Sequence, residues 1–283
     1  MIEELIHLTT DDSETIALWK ITSNKTTDKH LFLIHGTFSD KEIFNGFTDY
    51  FLNLGYTCWL LEWRNHGESK KVNQKFRFEA IGKHDVKTAF KYLIDKEQIT
   101  NLHCAAHSGG GISITICLIY NPEFKKRIKS ISLFGVQAFG ANISTKQNIK
   151  LRGAKLICKL IGKVPAKFAG SKNYDETYFT MHQWFDWNIQ RRFTDSSQFD
   201  YESRMKEIRI PIISFCAKGD DFIAPKEGCQ LYLDAFKNPK NKLVYCAVEL
   251  GNLEDYNHSR ILKSKNSKKE IWPQAEKWMS KNS

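Results

Sequence analysis

Apolar residues recur along this chain with two different periods, and the changes between them mark out the elements. Residues 5–9 and 15–21 alternate apolar and polar around Asp11-Asp12-Ser13, the pattern of an antiparallel hairpin with one buried face. From residue 31 the alternation gives way to short apolar runs separated by longer segments of helical spacing. Strands are predicted at 31–34, 57–61, 102–106, 131–136, 210–216 and 243–248, and helices at 43–54, 78–95, 112–120, 226–236 and 270–279. In the first of these helices Phe44, Phe47, Tyr50, Phe51 and Leu54 fall on one side. Short, continuously apolar strands alternating with helices predict a mostly parallel sheet covered on both faces. Ligands of such sheets bind beyond the carboxyl ends of the strands.

One junction in this pattern carries chemistry. Ala106-His107-Ser108-Gly109-Gly110 joins the strand at 102–106 to the helix at 112–120, so Ser108 falls where the chain turns sharply from strand to helix. Such a turn forces its central residue into a strained conformation and demands small neighbours two positions before and after it, here Ala106 and Gly110. It lifts the serine hydroxyl clear of the sheet and aims the Gly109 amide, at a helix N-terminus, at any oxyanion bound there. On these residues alone, a serine nucleophile and an ordinary turn with a capping serine both remain open.

Composition narrows the class. A chain of 283 residues, 41% hydrophobic, fits one large α/β domain with an insertion. There are seven cysteines and no Cys-x-x-Cys. Cys58, Cys104, Cys117, Cys216 and Cys246 lie inside apolar runs, which predicts small buried hydrophobes rather than disulfides or metal ligands. The first twenty residues carry Glu3, Glu4, Asp11, Asp12 and Glu14 around no long apolar core, and no apolar stretch reaches the length of about 18 residues expected of a membrane span. The expectation is a soluble cytoplasmic protein. Without a glycine-rich phosphate loop or dinucleotide fingerprint, no nucleotide or nicotinamide cofactor and no metal are expected. The formal charge of +10 comes from lysines spread over the middle and the C-terminal tail with no nucleic-acid motif among them, so no specific nucleic-acid partner is predicted. An anionic substrate or an acyl-carrier thioester would suit that charge equally.

Four further segments, in order, carry a resemblance. His35-Gly36-Thr37 is similar to the oxyanion-loop motif that follows the third strand of the α/β-hydrolase superfamily. Glu62-Trp63-Arg64-Asn65-His66-Gly67-Glu68-Ser69 resembles the family stretch Asp-x-Arg-Gly-x-Gly-x-Ser, with Glu62 and Asn65 as departures. His84-Asp85-Val86 and Leu102-His103 resemble lipase and esterase members. Apart from the interrupting segment the likeness covers nearly the whole chain, and it implies an α/β-hydrolase core at 1–139 and 210–283, interrupted by a helical cap at 140–209. It also implies a nucleophile at Ser108, an acid after the strand that resumes beyond the cap, and a histidine after the last strand. In Gly219-Asp220-Asp221-Phe222-Ile223-Ala224-Pro225 the second carboxylate stands four before the proline, as the family's acid does, making Asp221 the first candidate and Asp220 the second. His258 is the one imidazole in 250–261. The amides of Gly109 and Thr37 would form the oxyanion hole. His35 is expected to brace the oxyanion loop, His66 to be structural, and His107 to point away across its strand.

The activity implied is cleavage of a carboxylic ester through an acyl-enzyme on Ser108, without cofactor, on a small-molecule acyl substrate. An acyltransferase or thioesterase would use the same triad. A non-catalytic binding protein of the same fold is the third reading, favoured by Ala106, where the family's elbow has Gly, and by Asn257, where many members carry Gly before the histidine.

The interruption at 140–209 has two halves. The first carries Lys146, Lys150, Arg152, Lys155, Lys159, Lys163, Lys167 and Lys172 with no Asp or Glu from Gly140 to Tyr174, while Ile149, Leu156, Ile157, Leu160, Ile161 and Val164 recur at helical spacing. Such a basic amphipathic helix either packs its apolar face on the core or makes peripheral contact with an anionic membrane. The second half is rich in rings. Trp184 and Trp187 are the candidates there for substrate-pocket walls, the others being expected to pack.

Overall fold

The computed structural model describes residues 1–24, 27–72, 75–169 and 174–283. Its strands, in chain order, are β1 (Ile2–Thr9), β2 (Thr15–Thr22), β3 (Lys29–Ile34), β4 (Tyr56–Glu62), β5 (Leu102–His107), β6 (Ile128–Phe134), β7 (Lys163–Val164), β8 (Glu176–Thr177), β9 (Ile212–Ala217) and β10 (Lys242–Cys246). Eight of them form one sheet in the order β1-β2-β4-β3-β5-β6-β9-β10. The predicted hairpin pairs antiparallel from Ile2 opposite Thr22 to Thr9 opposite Thr15, and β2 joins β4 antiparallel. Along this sheet, every further pairing, β4-β3-β5-β6-β9-β10, is parallel. This is the mostly parallel sheet expected from the alternation of apolar runs and helices. Every residue of β4, β5 and β9 is buried, which is why those strands read as continuous apolar runs rather than as alternating ones.

The connection from β3 leads to β4 on one side, and the next strand, β5, pairs on the other side of β3. The strand order therefore reverses between β3 and β5, and the crevice beyond their carboxyl ends is where ligands of open α/β sheets bind. Aromatic rings fill one face of the sheet. Phe47 packs edge-on to Phe134 and Trp272, and Phe134 stacks on Phe215 with ring centroids 5.0 Å apart. The other face holds Phe32, Trp59 and Trp63 against the helix Gly109–Tyr120 and the helical segment that begins at Phe78. That segment contains π-helical stretches at Ile81–Val86 and Tyr92–Lys96, which a 3.6-residue period does not reveal. At the C-terminus the predicted helix is preceded by two short ones, and the last, Trp272–Lys281, takes Pro273 in its first turn, where a missing N–H costs little.

Between β6 and β9 lie the helices Thr145–Ile161, Tyr178–Gln190 and Tyr201–Met205 and the two-stranded β7–β8 ribbon. Ser144 caps the first helix through the Gln147 amide, and Gly162 ends it in the left-handed conformation with φ 78°. Buried polar contacts fix this connection to the sheet layer. Glu79 accepts hydrogen bonds from Gln183 Nε2 at 2.9 Å and Ser196 Oγ at 2.7 Å, and Asn188 Nδ2 donates to the Ala138 carbonyl at 2.8 Å. The helix Thr145–Ile161 does not lay its main apolar face on the core. Leu151 and Cys158 are its buried residues, whereas Ile149, Leu156 and Leu160 are 66%, 59% and 78% exposed. Lys172 lies outside the described residues. All seven cysteines are free and buried, the five that lie in apolar runs and also Cys158 and Cys229. Among the described residues, no helix is long and apolar enough to cross a membrane.

Candidate active site

β5 ends at His107, and Ser108 follows with φ 48° and ψ −121° before the helix Gly109–Tyr120 begins. A non-glycine residue held at positive φ is strained, and here the neighbours hold it: the Ser108 amide donates to the Phe134 carbonyl at 2.9 Å, tying the turn to β6. The small-residue rule has a direct physical cause. A Cβ on Gly110 would lie 2.6 Å from the carbonyl oxygens of both Ile34 and His35, and one on Gly36 would lie 2.7 Å from the Ser108 Cβ. The oxyanion-loop motif at the end of β3 and the turn after β5 are thus in van der Waals contact across the point where strand order reverses.

Two loops from the far edge complete the site. His258, in the loop after β10, places Nε2 2.8 Å from Ser108 Oγ and Nδ1 2.5 Å from Asp220 Oδ2. The carboxylate that meets the imidazole is therefore Asp220, and the first candidate, Asp221, is displaced. The cause is the turn after β9. The Asp220 amide donates to the Ala217 carbonyl, which folds the chain back at once and directs the first of the two carboxylates at the His258 loop. Asp220 Oδ1 also accepts the Ala224 amide at 3.1 Å. Asp221 is exposed, and its backbone carbonyl accepts from Gln147 Nε2. Burial alone would raise the Asp220 pKa, but the His258 ring and the Ala224 amide outweigh it, and the pKa is lowered. Asp220 is accordingly an anion at neutral pH, fit to accept a hydrogen bond from Nδ1–H and so leave Nε2 without a proton, facing the serine hydroxyl.

The other histidines divide by partner. His107 does not turn away from the site as the strand alternation suggested. Its Nε2 lies 2.9 Å from the His258 carbonyl oxygen, and the two rings are 4.9 Å apart. Burial first, and the neighbouring His258 next, push its pKa down to about 3, so it is neutral and donates to that carbonyl. His35 Nδ1 lies 2.7 Å from the Gly36 carbonyl oxygen while Nε2 accepts the Trp63 amide at 3.4 Å, which braces the oxyanion loop as expected. His66 is buried and lies 3.1 Å from Glu176 of β8. The loop after β4 that carries it is pinned by Arg64, whose guanidinium bridges Asp85 and Asp12.

Ser108, His258 and Asp220 open on a cavity of about 860 Å³. Thr37 and Gly109 line it beside Ser108, where the two expected oxyanion donors would have to be. Gly109 is the first residue of its helix, so its amide has no intrahelical acceptor. Next to Thr37, the Phe38 amide is already engaged by Glu176 Oε1 at 3.2 Å. Apolar walls come from Met181, Trp184, Phe185 and Phe222. Trp187 is not a wall. Its indole N–H donates to the Thr194 carbonyl at 2.6 Å, and its ring packs against Phe193 and Phe78 in the interior. Glu176 escaped the sequence reading because nothing local distinguishes it. Its significance comes from the β7–β8 ribbon, which brings it over the oxyanion loop.

Comparison with known proteins agrees with this architecture. Residues 25–247 match the family model Hydrolase_4, described as serine aminopeptidase, S33. None of the curated proteins matches the sequence. Among solved structures, an esterase from Pyrococcus furiosus superposes with a TM-score of 0.69 at 17% identity, covering 99% of this chain and 91% of that one. An esterase from Thermogutta terrifontis with malate bound gives 0.64 at 13% identity, covering 98% of each chain. The α/β hydrolase GrgF from Penicillium sp. sh18 gives 0.68 at 13%, covering 100% and 99%. At these identities the likeness to solved structures speaks for the fold, and the family match for descent: the chain belongs to the Hydrolase_4 family of the α/β-hydrolase superfamily.

Proposed function

We propose that the protein is a serine hydrolase that cleaves carboxylic esters through an acyl-enzyme on Ser108. The observation that carries this reading is the continuous line from Asp220 Oδ2 through His258 to Ser108 Oγ, at 2.5 Å and 2.8 Å. In the acylation step His258 Nε2 takes the hydroxyl proton as Oγ attacks the ester carbonyl carbon. Asp220 holds the ring through Nδ1–H and stabilises the imidazolium. The amides of Gly109 and Thr37 donate to the oxyanion, each such donor being worth roughly 3 to 4 kcal/mol in the transition state. Collapse of the tetrahedral intermediate breaks the ester C–O bond, and the proton on Nε2 passes to the leaving alcohol. Water then attacks the acyl-enzyme with His258 again as base, releasing the acid and restoring Ser108.

Residues 140–209 act as a cap in this reading. They supply Trp184, Met181 and Phe185 to the cavity, and these apolar walls favour an acyl chain over a polar substituent. The esterases among the solved structures of this fold support the choice of an ester as substrate. A fluorophosphonate probe followed by peptide mapping tests the mechanism. Labelling at Ser108 is expected, and Ser108→Ala should abolish it and lower turnover of aryl esters by on the order of 10⁵-fold. Wild-type protein that resists the probe would bring the non-catalytic reading forward. A panel of aryl esters from acetate to palmitate, run beside aminoacyl anilides, tests the substrate class. Faster turnover of the anilides would replace the ester assignment with a peptidase.

A further inference from the structure

The helix Thr145–Ile161 presents to solvent what a soluble helix ordinarily buries. At 100° per residue Ile149, Gly153, Leu156 and Leu160 form one outward stripe roughly 16 Å long. The three large side chains in it are each more than half exposed. Exposed apolar stripes of this length on otherwise polar surfaces mark an interaction site. Cations border it. Arg152 and Lys159, seven residues apart, lie along one side, and Lys146 and Lys150 along the other near the N-terminal end. Lys155 and Lys163 are paired with Asp186 and Asp175, but among the described residues none of Lys146, Lys150, Arg152 and Lys159 pairs with a carboxylate. The sequence from Gly140 to Tyr174 contains no Asp or Glu.

The stripe adjoins the cavity. Ala154, Ile157 and Cys158 of the same helix line it, and Ile157 is half exposed, so the side chain that faces the cavity also stands at its rim. Lys150 lies over the ring of Phe222, another lining residue, at 5.6 Å. The helix is therefore a wall of the substrate cavity on one side and an apolar, cation-bordered surface on the other.

We infer that this helix docks the protein on an anionic lipid bilayer, with Ile149, Leu156 and Leu160 in the acyl boundary and the four unpaired cations at the headgroups. An amphipathic helix with apolar residues flanked by Lys and Arg binds such interfaces through apolar burial and attraction to anionic lipid together. Pairing with a second copy of this face is disfavoured by charge, because a twofold contact would bring the same unpaired cations together. Docking sets the cavity rim at Ile157 against the lipid, the source of an acyl chain. That use of the surface rests on the hydrolase reading, whereas the docking itself is independent of Ser108.

The test is co-sedimentation of the full chain with phosphatidylcholine vesicles, with and without phosphatidylglycerol as roughly a third of the lipid. Each cation near an anionic surface contributes about fivefold, so binding should be at least about tenfold tighter to the anionic vesicles and should weaken with added salt. Leu156→Asp combined with Leu160→Asp should weaken it about tenfold. Arg152→Glu with Lys159→Glu should erase the preference for anionic lipid. Both variants should hydrolyse a water-soluble short-chain ester as wild type does, since none of these four residues lines the cavity. Ser108→Ala protein should bind vesicles normally, which separates this surface from the chemistry. Equal binding to both vesicle types, binding unchanged in the leucine variant, or a dimer that the leucine variant dissociates without vesicle binding, would each overturn the inference.

Discussion

Asp220 and His258 meet through Oδ2 and Nδ1 at 2.5 Å, while Asp221, one residue on, is exposed to solvent. Adjacent carboxylates of the same chemistry are thus divided by one backbone turn. Asp220→Asn should leave the hydrogen-bonding shape but offer an amide where an anion is needed, favouring the wrong tautomer of His258. A fall in kcat of about 10³ to 10⁴ is expected. Asp221→Asn should stay within about threefold of wild type. Steady-state kinetics on one aryl ester decide the matter, and the reverse ranking would reassign the acid.

Stability should respond to pH through His66. Burial opposes its charge, but Glu176 at 3.1 Å outweighs burial, and the pKa is raised above the ordinary value of 6.5. A histidine raised on folding binds its proton more tightly in the native state. The resulting stabilisation is fully present below about pH 6.5 and is lost as pH rises through the raised native pKa. Glu176→Gln removes the source of the shift. The melting temperature of wild type should therefore exceed that of Glu176→Gln by more at pH 6 than at pH 9. A gap that is constant, or wider at pH 9, would show that Glu176 acts only through its bond to the Phe38 amide.

How much of this was legible in the sequence differs by residue, for physical reasons. Ser108 is legible as a candidate because the elbow imposes local demands, small residues at Ala106 and Gly110, that are written into neighbouring positions. His258 is legible as a candidate because order along the chain and a lack of rivals in its loop single it out, and the structure brings it to Ser108. The choice between Asp220 and Asp221 could not be made, since it depends on the Asp220–Ala217 turn and on contact with a loop almost forty residues away. Distance to the proline favours Asp221, but the neighbour that reaches His258 is Asp220. His107 misled in a similar way. Strand alternation predicts which face of a sheet a side chain takes, but His107 is the last residue of β5, where the His258 loop folds over it. The helix at 145–161 shows the remaining limit: periodicity reveals that Ile149, Leu156 and Leu160 share a face, but not whether that face meets the core or solvent.

Trp184 and Trp187, three residues apart on one helix, give the last prediction. Both are buried, yet Trp184 borders the cavity and Trp187 packs between Phe78 and Phe193 with its N–H on the Thr194 carbonyl. Trp184→Leu enlarges the space beside the acyl chain. It should shift the ratio of kcat/KM for bulky over acetyl esters by on the order of tenfold, since a methylene-sized change in an apolar pocket is worth about 10- to 200-fold. Trp187→Leu opens a void away from the substrate and strands the Thr194 carbonyl. Its cost should fall mainly on stability, about 3 kcal/mol in urea unfolding, with the substrate ratio within about threefold of wild type. The two effects follow from what each indole touches, the cavity for Trp184 and the Phe78 and Phe193 rings for Trp187. If Trp187→Leu altered substrate preference while Trp184→Leu altered only stability, the wall of the cavity would have to be redrawn around Trp187.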